Sequence, residues 1–179
     1  MSSSDFNYTS DLITALFNEY KYNMQRIAHG ILNDSQLAED VVSEAMIKII
    51  KNIDFVDNID SRRCANFVYT ITKNTALDFY RKKKRDSDNC VTFHESDYVN
   101  NIKDIINYEV FEEKYGFGEQ IQRYMENLEE VDIDIIGLKY GDGFTYKEIS
   151  LMLNMTEDMI RQRALRAKRK LERAISKEE

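Results

Sequence analysis

The sequence contains no proline, and only six glycines are spread over its 179 residues. Turns fixed by proline are thereby excluded. With Ile, Leu, Glu and Lys abundant, the chain reads as helical. Cysteine and histidine are almost as scarce. Cys64, Cys90, His29 and His94 are the full complement, and their spacing suits neither a metal site nor a disulfide framework. Both thiols read as reduced and incidental, as in a cytoplasmic protein. No run of about 18 apolar residues occurs, so no membrane insertion is expected. The N-terminal MSSSDFNYTS lacks the basic-then-apolar order of a signal peptide. No phosphate loop, metal cluster or nucleophile–base set appears, so neither catalysis nor a cofactor is expected.

Positive charge is present but concentrated. The formal net charge is −7, which alone argues against a free-standing DNA binder. Yet Arg81–Arg85 (RKKKR) carries +5, and Arg161–Arg173 holds seven basic residues against Glu172, or +6. The remainder of the chain then carries −18. Two basic sites on an acidic body suggest local phosphate contacts and a separate face for a basic partner.

The second basic site sits in the most informative stretch, TYKEISLMLNMTEDMIRQRALRAKRKL at Thr145–Leu171. Over Tyr146–Leu153, Ile149, Met152 and Leu153 form one apolar face at helical spacing. Asn154 tolerates the left-handed conformation that ends a helix. Thr156 reads as the next N-cap, with Glu157 and Asp158 in a first turn that favours acids. Met159, Ile160 and Arg163 open the second helix, and Ala164, Ala167 and Leu171 continue its buried stripe. Arg161, Gln162, Arg166, Arg169, Lys170 and Arg173 take the other face. A short helix, a tight turn and a capped basic helix form a helix-turn-helix, whose second helix fits the major groove.

From the N-terminus, Ser10 is placed to cap a helix through about Leu32, with Leu12, Leu16, Tyr20, Met24, Ile27 and Ile31 along one stripe. Asn33-Asp34-Ser35 reads as a turn and fresh cap. The next helix, Gln36–Asn52, buries Leu37, Val41, Ala45 and Ile49 and shows Asp40, Glu44 and Lys48 at i, i+4 steps on its other side. Ser61 is placed to cap a third helix, running to about Lys84, with Phe67, Val68, Ile71 and Thr75 as its core stripe. Tyr69, Lys73, Asn74 and Tyr80 are free to face elsewhere, ahead of RKKKR. Aromatics interleaved with cations suit single-stranded nucleic acid, each stacked base contributing about 1–3 kcal/mol. Residues 86–118 lose periodicity and are rich in acids, reading as a linker with a short helix near Ile105–Lys114. Thirty extended residues span about 100 Å, enough to separate two modules by two DNA turns, roughly 70 Å. Ile121–Leu128 and Val131–Tyr140 read as paired helices of a second small bundle, closed by Gly141-Asp142-Gly143.

Three blocks in this order resemble the extracytoplasmic-function (ECF) sigma factors, two-domain promoter-recognition subunits of bacterial RNA polymerase. AEDVVSEAMIKII at Ala38–Ile50 resembles the segment that docks on the polymerase clamp. FVYTITKNTALDFYRKKKR at Phe67–Arg85 resembles the segment that melts and reads the downstream promoter element. Leu128–Leu171 resembles the domain that binds the upstream element. Together they cover about 130 of 179 residues.

The resemblance implies an all-α fold: a region 2-like domain at 1–88, an acidic linker at 89–118 running through the polymerase's basic channel, and a region 4-like domain at 119–179. It implies Asp40, Glu44 and Lys48 as polymerase contacts. Tyr69, Lys73, Asn74, Tyr80, Arg81 and Lys82 would meet the downstream element, with Asn74 before the loop that accepts a flipped base. Thr145, Thr156, Arg161, Gln162, Arg166 and Lys170 would meet the upstream element. The implied partners are core RNA polymerase, promoter DNA and an anti-sigma factor, with the protein a monomer whether free or bound. Ser43, Met46 and Ile50 stand where many members carry Gln, Phe and Trp. Phe67 replaces a common Trp and Asn154 a common Gly. These swaps keep polarity class or helical geometry, but the promoter sequence does not carry over. The alternative is a stand-alone helix-turn-helix activator that binds DNA as a dimer; it accounts for Thr145–Leu171 but leaves RKKKR and the N-terminal helices without a role.

Overall fold

A computed structural model describes residues 3–86 and 128–175, and the described residues contain six α-helices and no strand. The chain separates into two compact units, Met1–Ile105 and Ile106–Glu179. The expected linker, its short helix near Ile105–Lys114, the helix at Ile121–Leu128, Cys90 and His94 all lie outside the described residues, apart from the ends of those stretches.

In the first unit α1 spans Ser3–Leu32, α2 Ser35–Lys51 and α3 Arg62–Asp86. The start of α1 corrects the expectation of a cap at Ser10. No proline or glycine interrupts 3–10, and extending a nucleated helix requires little. The carbonyl of Ser10 instead accepts a hydrogen bond from Thr14 Oγ1 at 2.9 Å. Asn33 ends α1 with a positive φ of 48°. Asp34 then caps α2, its Oδ1 accepting from the amides of Gln36 and Leu37 at 3.1 and 3.2 Å. Ser61 caps α3, accepting from the Cys64 amide at 3.0 Å.

All three helices pack on one another. Leu16, Met24, Ala28 and Ile31 of α1 meet Val41, Ala45 and Ile49 of α2 and Phe67, Val68 and Ile71 of α3 in the core. Burial of each large side chain contributes about 1.5–3 kcal/mol. A 3-10 turn at Ile53–Phe55 begins the α2–α3 connection. That connection is fastened by Tyr20 Oη donating to the Ile59 carbonyl at 2.6 Å and Arg63 Nη1 to the Phe55 carbonyl at 3.0 Å. Phe55 meets Phe67 edge to face at 5.7 Å. Cys64 is fully buried beside Tyr20, and desolvation pushes both its thiol and the phenol upward.

In the second unit α4 spans Glu130–Ile136, α5 Tyr146–Leu153 and α6 Glu157–Ile175. The single helix expected over Val131–Tyr140 is thus corrected: α4 stops at Ile136 and widens into a π-helical turn over Gly137–Gly141. Glycine at both ends of that turn tolerates the departure from α geometry. The turn closes through the Asp142 amide on the Gly137 carbonyl at 3.1 Å, and Gly143 takes a φ of 76° that a side chain would oppose. Leu138 and Phe144 enter the core on either side. Thr145 and Glu148 form a reciprocal capping box on α5, and Asn154 ends it in the left-handed conformation at φ 52°, ψ 44°.

Candidate nucleic-acid and polymerase interfaces

The recognition helix α6 is built from its buried side outward. Ile160, Ala164 and Ala167 are sealed inward against a core that includes Ile149, Met152 and Leu153 of α5. Helical spacing then sends Arg161, Gln162, Arg166, Arg169, Lys170 and Arg173 outward, and every one of them is exposed. Met159 does not join the buried stripe; it is 49% exposed. Arg163, grouped with the inward stripe rather than the basic face, pairs with Asp132 and Glu129 at the start of α4, Nη1 lying 2.6 Å from Asp132 Oδ1 and 3.0 Å from Glu129 Oε2. The Asp132 hydrogen bond is the main cause holding the guanidinium pKa above its ordinary value, and the same arginine draws the Glu129 carboxyl below its own.

Arg161 is steadied at the front of the helix. Its Nε donates to Glu157 Oε1 at 3.1 Å, and its guanidinium carbon lies 5.4 Å from the Tyr146 ring centroid. Lys139 Nζ approaches the same ring at 4.9 Å, so Tyr146 joins two cations at the entrance to the turn. Burial, then a hydrogen bond with Tyr140, pushes the Tyr146 phenol upward. Thr145 and Thr156 are exposed, and both hydroxyls serve as caps. Thr145 Oγ1 accepts from the Glu148 amide at 3.2 Å, and Thr156 Oγ1 from the Met159 amide at 3.3 Å. A hydroxyl that caps by accepting still has its own hydrogen to donate to a phosphate.

Along α3, 3.6 residues per turn place Tyr69, Lys73 and Tyr80 on one line, with Asn74 and Arg81 on a second about 100° away. Lys73 corrects the expectation that it faces outward: it is 3% exposed, and its ammonium lies 5.7 Å from the Tyr69 ring centroid. The helix carries an unusual set of buried polar groups, Asn66, Thr70, Thr72 and Thr75 besides Lys73. Asn74 is half-buried and donates one amide hydrogen to the Thr70 carbonyl at 2.8 Å, leaving its side-chain oxygen as an acceptor. Tyr69 and Tyr80 are half-buried, Arg81 and Lys82 exposed. The basic end of α3 is partly neutralised: Arg81 pairs with Asp78 at 3.3 Å and Lys83 with Asp34 at 3.2 Å.

On α2, Asp40 is exposed and Glu44 half-buried. Lys48 departs from their row. Eight residues rotate it about 80° from Asp40, and its Nζ donates to Thr75 Oγ1 of α3 at 3.1 Å. Sequence reasoning missed this bond, the Arg163 cluster and the pairing of Lys139 and Arg161 over Tyr146. The two acids inside the apolar run VDIDII, Asp132 and Asp134, were the signal that a buried carboxylate needed a partner. Among the described residues no group of three or more His, Cys, Asp or Glu could hold a metal ion, and no helix is long and apolar enough to cross a membrane.

Comparison with known proteins finds two matched regions in the chain. Residues 16–86 match the model of sigma-70 region 2, and residues 118–171 match that of sigma-70 region 4. The chain is 25% identical over 169 residues to the ECF RNA polymerase sigma factor SigW of Bacillus subtilis (strain 168), covering 92% of this chain and 89% of that one. It is 22% identical over 167 residues to the RNA polymerase sigma factor SigZ of the same organism, covering 91% and 86%. A solved complex of the sigma factor RpoE with the anti-sigma factor NepR from Bartonella quintana aligns with 95% of this chain and 97% of that one, at 19% identity and a TM-score of 0.38. With two successive regions of one family filling most of its length, the chain belongs to the sigma-70 family of RNA polymerase sigma factors, as a member of the ECF type.

Proposed function

We propose that this sigma factor divides promoter recognition between its two units. The acidic groups of α2, Asp40 and Glu44, meet a basic surface of core polymerase, with Lys48 bracing that helix from behind. Along α3, Tyr69, Tyr80, Arg81 and Lys82 hold melted downstream DNA, and the Asn74 side-chain oxygen accepts from the edge of a flipped base. Lys73 supports the Tyr69 ring rather than reaching a phosphate. In the second unit Arg161, Gln162, Arg166 and Lys170 enter the major groove of the upstream element, while Thr145 and Thr156 donate to its phosphates. The protein performs no catalysis of its own; nucleotide addition belongs to the polymerase. It acts in the cytoplasm as a monomer, under an anti-sigma partner of the kind present in the RpoE–NepR complex.

The observation that carries this division is the two-sided build of α6. Ile160, Ala164 and Ala167 are buried, while every basic or amide side chain on the opposite face is exposed. The acidic remainder of the chain fits the same account, since repulsion discourages isolated DNA binding until polymerase presents the protein. Transcription from a genomic DNA library by core polymerase with and without the protein tests it. Start sites that appear only with the protein and share upstream and downstream elements at fixed spacing are expected. Initiation unchanged by the protein overturns the assignment.

A further inference from the structure

Arg163 is the exception on the basic helix. It stands between Gln162 and Arg166, yet its side chain is only 23% exposed and turns toward α4. Nη1 donates to Asp132 Oδ1 at 2.6 Å and to Glu129 Oε2 at 3.0 Å, and Nη2 donates to that same Glu129 oxygen at 3.1 Å. Asp132 is 5% exposed, so one anion of the cluster is withdrawn from water. An ion pair in such a place adds little net stability, because desolvating the charges offsets their attraction. What it adds is direction.

Beside this cluster α6 and α4 share an apolar contact: Ala167 packs with Leu128 and Ile136, and Ile133 and Leu171 lie against them. Apolar burial depends on area rather than angle, and alanine presents a small knob that resists rotation weakly. A guanidinium fork is planar and engages carboxylates only along its own N–H directions. Rotating α6 by about one quarter of a residue's 100° step would preserve most of the apolar contact. It would also break the fork and swing Gln162 and Arg166 together away from any fixed base edge.

We infer that Arg163 is a positioning residue for DNA reading: its cluster with Asp132 and Glu129 fixes the rotation of α6, and so the direction in which Gln162 and Arg166 leave the helix. The inference rests on α6 being the upstream reader. It assigns Asp132 and Glu129, which touch no DNA in this account, a role in sequence specificity.

The test uses the full chain bound to core polymerase and a duplex library randomised in the upstream element. Wild type defines the preferred element; a wild type that selects none removes both the reading of α6 and this inference. Two variants follow. Arg163→Lys keeps the charge and loses the fork. The double variant Asp132→Leu/Arg163→Met exchanges the ion pair for an apolar pair, a change that is often neutral or stabilising, so a folded variant is at hand if the single change unfolds the unit. Both are expected to melt within about 5 °C of wild type and to bind non-preferred duplex at low salt as wild type does. Discrimination against single-base changes in the preferred element should fall about five-fold or more, the scale of one mismatched base pair. Full discrimination in either folded variant overturns the inference and leaves the reading of α6 standing.

Discussion

Lys48 of α2 donates to Thr75 of α3 at 3.1 Å, and Thr75 is the immediate neighbour of Asn74. Thr75 Oγ1 in turn donates to the Ile71 carbonyl at 2.8 Å. The helix assigned to polymerase docking is therefore bonded to the helix assigned to melting, beside its central residue. Lys48→Met removes this charged hydrogen bond while keeping the apolar stem. It should lower the stability of the first unit by about 1–2 kcal/mol, read as an earlier urea midpoint. An unchanged midpoint would show the bond to be incidental.

Docking is tested on the solvent side of the same helix. Asp40→Arg and Glu44→Arg should each weaken core-polymerase binding by about 1 to several kcal/mol, since arginine would meet a basic surface. Asp40 is exposed, and substitutions at such helix positions usually shift stability by no more than about 0.5 kcal/mol, so its variant should fold. Glu44 is half-buried, and its variant is checked for folding by thermal melting. Unchanged affinity for polymerase in both variants would remove α2 as the docking face.

The two ends of α6's assignment separate cleanly. Arg166→Ala should weaken upstream binding by about 1–3 kcal/mol and relax preference at one base position if the side chain reads a base. A uniform loss over all sequences, with a salt slope shallower by about one, would identify a phosphate contact instead. Ile160 is fully buried, so Ile160→Asp should unfold the second unit, at about 4 kcal/mol or more, rather than alter preference. A folded Ile160→Asp protein would contradict the inward orientation of that face.

Acid sensitivity has a named source. The Leu37 amide, and after it Lys83, hold the Asp34 carboxyl below its ordinary value. The native state thus binds that proton less tightly than the unfolded chain. Its stabilising effect is complete above the ordinary carboxylate pKa and is lost as pH falls through the native value. Asp34→Asn should therefore lower the urea midpoint at pH 7, and the difference should shrink progressively as pH falls below the ordinary carboxylate range. A difference that stays constant across that range would show that the Asp34 charge is not its source.

These residues also mark how far the sequence reached. The α5–turn–α6 segment was legible because its determinants are local. Thr145 and Glu148 cap each other three residues apart, Asn154 makes its own left-handed turn, and Ile160, Ala164 and Ala167 repeat at helical spacing. The placements of Lys48 and Lys73, and the partners of Arg163, were not legible in the same way. Helical spacing fixes where a side chain leaves the backbone, but each of these long side chains is bent by what it meets. Lys48 and Arg163 meet another helix, Thr75 on α3 and Asp132 on α4, and Lys73 turns back over the Tyr69 ring. The widening at Gly137–Gly141 escaped for a related reason: an apolar stripe looks alike in α and π geometry over a single turn.

The division of labour between the units is tested most directly at Asn74. Its amide is bonded to its own helix at Thr70, with the side-chain oxygen left to accept from a base. Asn74→Ala should fold normally, by thermal melting, and bind the upstream duplex as wild type does. Opening of a duplex promoter, read by permanganate reactivity of its thymines in the polymerase complex, should fall, because the few kcal/mol of unstacking lose their compensation. A template with a pre-melted mismatch bubble should recover much of that loss. A folded Asn74→Ala protein that opens duplex promoters at the wild-type rate would contradict the placement of base reading on α3.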